Sequence, residues 1–144
     1  MTTSHVYRTV SMIHQIQEGE DLQRLLQRVQ KPRTLPQLIL PMLPDDMSIE
    51  KLGHLVECSK AHIYNITTGK SHPQRDIILR IAVTLDMDLP IVQDMLKAAH
   101  RTPLTAAQPR DICLIYGLLH HYDRDAMDDC LLSNGFPPLW PVYF

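Results

Sequence analysis

The chain has 144 residues, 44% hydrophobic and 21% charged, which is enough for one domain with a real core. A mean hydropathy of −0.14 leaves no apolar run near the roughly 18 residues of a membrane span, and Met1–Val10 lacks the apolar stretch of a secretory signal. Three cysteines without Cys-x-x-Cys spacing exclude a disulfide framework and suit a reducing cytoplasm, while a net charge of −2 exerts no global pull on nucleic acid.

Eleven prolines divide the chain into stretches with apolar residues at three- and four-residue spacing, and alternation of period two is absent. An all-α fold is expected. Glu20 to Val29 reads as a helix with acids first, bases later and a Leu22/Leu25/Leu26/Val29 stripe. Thr34 caps a short helix through Leu43, which Pro41 should bend or shorten. Ser48 opens a helix with Leu52, Leu55 and Val56 inward. Ser59 caps the next, with Ile63 and Ile66 inward and Gly69 just past its end.

Pro73 lies near the first turn of a helix through Leu85, and a helix from Leu89 to Ala99 follows, with Pro90 at its start. After a linker, His100 to Gln108, Pro109 starts a helix with Ile112, Ile115, Tyr116 and Leu119 on one side. Asp123 caps the last helix and Gly135 stops it. The expected organisation is an N-terminal arm and amphipathic helix over 1–33, a core over 34–99, and a helical extension with an apolar tail over 100–144.

Met47 to Lys70 carries the most information. Two short capped helices flank a turn, and the small residue Gly53 lies where a crossing helix needs close approach. Ile63 and Ile66 anchor the second helix and leave Lys60, Ala61, Tyr64 and Asn65 outward. A helix that reads DNA needs this division between anchoring apolar residues and exposed polar ones.

The pattern Ser59-x-x-x-Ile63-x-x-Ile66-x-x-Gly69-Lys70-x-x-Pro73, with the Leu-Asp-Met-Asp-Leu step at 85–89, resembles the lambda-repressor-like (Xre-type) helix-turn-helix family over roughly Leu35 to Ala99. The segment Pro109 to Leu139 resembles a helical pair appended in a subgroup of that family. The resemblance implies a five-helix helix-turn-helix core and sequence-specific DNA binding. It places Ser59, Lys60, Ala61, Tyr64 and Asn65 on the DNA-facing side of the recognition helix, and Thr68 and Lys70 near the phosphate backbone. By the same resemblance, Glu57 stands at a turn position usually held by glycine, and Ile49 where many members carry a phosphate-contacting glutamine.

Charge is polarised along the sequence. Between Ser59 and Arg80 the bases Lys60, Lys70, Arg75 and Arg80 face Asp76 alone, whereas the stretch after Thr102 is acidic. This arrangement suits one end meeting phosphates. No catalytic motif and no zinc-ligand spacing appears, so neither an enzyme nor a cofactor is expected; His120 and His121 with Cys113 and Cys130 lack metal-site spacing. Cys58 reads as a small buried apolar residue. The expected partners are double-stranded DNA and a second copy in a homodimer, with a protein partner for the C-terminal extension and no membrane. The amphipathic N-terminal helix and the tail Phe136 to Phe144 either cover the chain's own core or meet a second copy; at least one of Leu22 to Val29 and Phe136 to Phe144 is expected to form the dimer contact, with Trp140 as the expected anchor. The rival reading is a non-enzymatic interaction module on the same scaffold, such as an accessory subunit.

Overall fold

The computed structural model describes residues 2–28 and 31–142, with side chains from 9–26 and 31–142. Among them every regular element is helical, as the spacing of apolar residues requires. The chain divides into two compact units, Met1–Pro32 and Arg33–Phe144.

The first unit holds α1 (Thr2–Gln17) and α2 (Leu22–Arg28). Helix α1 is additional to the sequence expectation, although Val6, Val10 and Ile13 recur at helical spacing. Gly19, at φ 87°, turns the chain between the two helices. The α2 stripe is not buried as a whole: Leu25 is buried, whereas Leu22 is 62% and Leu26 57% exposed. Val29 lies outside the described residues.

The second unit begins with α3 (Leu35–Ile39). Thr34 forms a reciprocal cap with Gln37: the Thr34 amide donates to Gln37 Oε1 at 2.9 Å, and the Gln37 amide donates back to Thr34 Oγ1. Before Pro41 the helix tightens into a 3₁₀ turn, Leu40–Met42, since proline supplies no amide to continue the α pattern. There follow α4 (Ile49–Leu55), α5 (Lys60–Thr67), α6 (Arg75–Thr84), α7 (Leu89–Ala98), α8 (Pro109–Leu119) and α9 (Arg124–Ser133). Pro73 precedes α6 and is buried, and Gln74 occupies the N-cap.

The helices end in one recurring way. After α4, α6, α7 and α8 the residues Glu57, Asp86, His100 and His121 adopt φ between 49° and 57°, and after α5 and α9 Gly69 and Gly135 take a positive φ of 80°. At each end two amides turn back onto free carbonyls of the last turn, as Cys58 N does on Gly53 O at 2.9 Å and Glu57 N on His54 O at 3.2 Å. Four of these left-handed positions thus hold residues with a Cβ, at a local steric cost that the packing offsets.

One core runs through the unit. Leu38, Ile39, Leu52, Val56, Ile63, Ile66, Ile81, Val92, Met95, Leu96, Leu114, Met127 and Leu131 are all inaccessible or nearly so. Helix α3 packs on α5 and α7, α4 on α5 and α6, and α9 on α6 and α8. The linker after α7 is tied down: the buried Gln93 side chain accepts from the Leu104 amide at 2.7 Å and donates to its carbonyl at 2.9 Å.

In the C-terminal region the structure decides which face of α8 is covered and corrects the expectation for Trp140. On α8 the buried residues are Asp111, Leu114, Gly117 and Leu118, while Ile112, Tyr116 and Leu119 are exposed. The helix has two apolar faces, and packing on α7 and α9 takes only one. The tail also folds back rather than projecting. Trp140 is only 2% exposed, its Nε1–H donates to Leu55 O at 3.0 Å, and the Arg124 guanidinium lies 5.1 Å from its ring centre. The Asp128 carboxylate accepts from the Leu139 and Trp140 amides. Trp140 is therefore an anchor of its own domain and is not free to serve as the first dimer contact. Tyr143 and Phe144 lie outside the described residues.

Candidate nucleic-acid interface

The site is built on α4, the turn after it, and α5. Ser48 caps α4 by accepting from the Lys51 amide at 3.0 Å, and Ser59 caps α5 by accepting from the His62 amide at 3.1 Å. The helices cross closely at Gly53, where a Cβ would come within 2.7 Å of Ile63 Cγ2. Any larger side chain there would drive α5 away from α4, so the reading of Gly53 as a close-approach residue agrees with the geometry. Ile63 and Ile66 are inaccessible, and Thr67 is buried with its hydroxyl donating to Ile63 O at 2.9 Å.

The opposite face of α5 is open. Ser59, Lys60, Ala61, Tyr64, Asn65, Thr68 and Lys70 are all exposed, and Tyr64 retains 41% of its surface. Two hydroxyls of this set are already engaged locally: Ser59 Oγ in the cap, and Thr68 Oγ1 donating to Tyr64 O at 2.7 Å. The Lys60 ammonium approaches Glu50 at 3.7 Å with both side chains about two-thirds exposed, an ion pair that solvent weakens. Among the described residues no hydrogen bond or ion pair engages the side-chain polar groups of Tyr64, Asn65 and Lys70. Cys58 is half-buried rather than fully buried, and burial pushes its thiol up, partly opposed by the charge of Arg80.

The basic stretch between Ser59 and Arg80 is not a uniform face. Arg75 binds Asp111 through two bonds of 2.7 and 2.6 Å and donates to the Thr102 and Pro103 carbonyls at 2.9 and 3.1 Å. Arg80 donates to Leu139 O at 2.6 Å and Val56 O at 3.2 Å. Both guanidiniums are consumed in holding the C-terminal helices and tail against the core. This removes them from the expected phosphate-facing charge and leaves Lys60 and Lys70 as its exposed bases. Arg110 makes the reciprocal tie, bidentate to Asp76 at 2.9 and 3.1 Å.

Sequence reasoning missed this ion-pair seam. A signal existed in Asp111, a lone acid at a buried position of an apolar helix, which reads equally well as compensation of the helix dipole. Among the described residues no group of three His, Cys, Asp or Glu side chains converges as a metal site, and no helix is long and apolar enough to cross a membrane. The chain matches no protein-family model, no curated protein and no solved structure.

Proposed function

We propose that the chain is a helix-turn-helix regulator of the lambda-repressor-like (Xre) type that reads duplex DNA with the exposed face of α5. The observation that carries the reading is the division of that helix. Ile63 and Ile66 are inaccessible beneath it, while Lys60, Ala61, Tyr64 and Asn65 project together from its first two turns. Entry of this face into a major groove would bring an amide side chain and an ammonium to base edges, the chemistry by which adenine and guanine are distinguished. Thr68 and Lys70, beyond the C-terminus of α5, would meet phosphates. One such module covers few base pairs, so a homodimer on a two-fold site supplies affinity. Trp140 being internal, the exposed Leu22 and Leu26 of α2 become the candidate dimer contact.

Selection from a pool of random duplexes, followed by a salt titration, tests the reading. With Lys60 and Lys70 as the exposed bases of this face, the log–log salt slope should be shallow, about −2 per protomer. Lys60→Ala and Asn65→Ala should each weaken the selected site by about 1–3 kcal/mol, and Lys70→Ala should weaken all sequences alike. Absence of sequence enrichment, or parental binding by all three variants, refutes it. A second reading, a protein-interaction module on this scaffold, is favoured by the exposed Ile112, Tyr116 and Leu119 stripe of α8. Capture of a protein partner that Tyr116→Ala abolishes, without DNA enrichment, would select it.

A further inference from the structure

Helices α8 and α9 pack on each other across the short turn at 120–123, and each buries one face in the core. The opposite face of α8 carries Ile112, Tyr116 and Leu119 at positions i, i+4 and i+7, all exposed. On α9 the same spacing presents Asp125, Asp129 and Leu132, also exposed. Tyr116 stacks on the His120 ring at 4.1 Å and meets the Tyr122 ring edge-on at 6.0 Å, which holds the middle of the stripe in place. Charge on these helices is unbalanced. From Thr102 onward the only lysines or arginines are Arg110 and Arg124, and both are engaged, Arg110 on Asp76 and Arg124 over Trp140 and beside Glu57. Asp111 is held by Arg75, Asp123 caps α9, and Asp128 accepts from the tail amides. Among the described residues no hydrogen bond or ion pair engages Asp125 or Asp129. Asp125 favours the α9 dipole from the first turn, whereas Asp129 lies beyond it.

We propose that the outer surface of α8 and α9 docks a basic amphipathic helix of a protein partner. Its apolar stripe covers Ile112, Tyr116 and Leu119, and its lysines or arginines face Asp125 and Asp129. The inference gives the α8 face of the interaction-module reading a partner of defined chemistry, and it holds whether or not α5 reads DNA. The stripe runs about 10 Å along α8, which two turns of a partner helix cover. Its apolar side chains supply affinity, and the unpaired carboxylates select the sign of the partner's charge. A second copy fits this surface worse, because pairing two such faces sets their unpaired carboxylates against each other. Nucleic acid meets the same repulsion from its phosphates. The surface is also formed in advance, since the Arg75–Asp111 and Arg110–Asp76 ties hold the hairpin to the core and little ordering remains to be done on binding.

The full chain is used as bait for a displayed library of single helices randomised on one face, with counter-selection on the Tyr116→Ser chain. Leu119→Ser, which leaves the ring cluster intact, serves as a second counter-bait. The enriched helices should carry apolar residues at i, i+4 and i+7 and a net positive charge. As free peptides they should bind the parent about tenfold more tightly than either serine variant. Asp125→Asn with Asp129→Asn should weaken them by about fivefold and flatten their salt dependence. Lys60→Ala and Asn65→Ala should leave this binding unchanged, so that failure of the DNA reading and failure of this one are told apart. Enrichment of neutral or acidic helices overturns the proposal, as does a library yielding no helix that depends on Tyr116 or Leu119. A shift of the full chain from dimer to monomer on Tyr116→Ser also overturns it, by assigning the surface to a second copy.

Discussion

Replacing Arg75 by methionine isolates the seam that joins the C-terminal helices to the rest of the second unit. The substitution removes two charge-assisted bonds to Asp111 and two bonds to the linker carbonyls of Thr102 and Pro103. Asp111, whose side chain is 3% exposed, then keeps only the Thr105 amide at 3.0 Å. Breaking a buried pair by removing one member costs about 3–5 kcal/mol. Arg75 itself is a quarter exposed, which admits water and places the expected loss at the low end, about 3 kcal/mol. For a unit of this size that lowers the melting midpoint by roughly 10 °C. Arg75→Met with Asp111→Leu removes the stranded charge and should recover most of the loss.

Acid supplies an independent check on the same pair. Burial by itself would raise the Asp111 carboxyl, but hydrogen bonds from Arg75 and Thr105 and the charges of Arg75 and Arg110 outweigh it and hold the carboxyl below its ordinary value. The folded state thus favours the ionised form. The stabilisation is complete above the unfolded value of about 3.9 and is lost as pH falls through the lower folded value. Melts followed by circular dichroism across that range should show an acid-labile limb in the parent and a flatter one in Arg75→Met. A variant melting within about 2 °C of the parent, with the limb unchanged, would refute a stabilising role for the pair.

Glu57→Gly should stabilise the unit by about 0.5–1 kcal/mol, read as a higher urea midpoint at unchanged slope, because Glu57 sits at φ 55° where a Cβ is strained; a lower midpoint would mean that the Arg124–Glu57 contact at 3.7 Å outweighs the strain. Trp140→Ala should destabilise by about 3–5 kcal/mol without changing the sedimentation of the folded species. An unchanged melt with a shift to a smaller species would instead make Trp140 an intersubunit residue.

Much of the local structure was legible in the sequence, because it is decided within one turn of chain. Thr34, Ser48, Ser59 and Asp123 cap the helices they precede, since a short side-chain oxygen reaches the amide three residues on. Gly69 and Gly135 stop the helices they follow, and Pro41 ends the α pattern of α3. On the candidate interface, the buried Ile63 and Ile66, the close crossing at Gly53 and the outward Lys60, Ala61, Tyr64 and Asn65 follow from helical period and side-chain size, whereas Ser59, Thr68 and Lys70 were singled out only by the family resemblance.

What only the tertiary structure decided concerns groups whose partners are remote in sequence. Arg75 meets an acid 36 residues away, Arg80 a carbonyl 59 residues away, and the Trp140 indole a carbonyl 85 residues away. A count of charges along the chain treats such guanidiniums as free, and an aromatic tail reads as spare surface, until folding supplies the partner. The same holds for α8, whose two apolar faces are equivalent by period alone. Only contact with α7 and α9 buries Leu114 and Leu118 and leaves Ile112, Tyr116 and Leu119 in water. Periodicity determines which residues share a face, and the packing partners determine which face is covered.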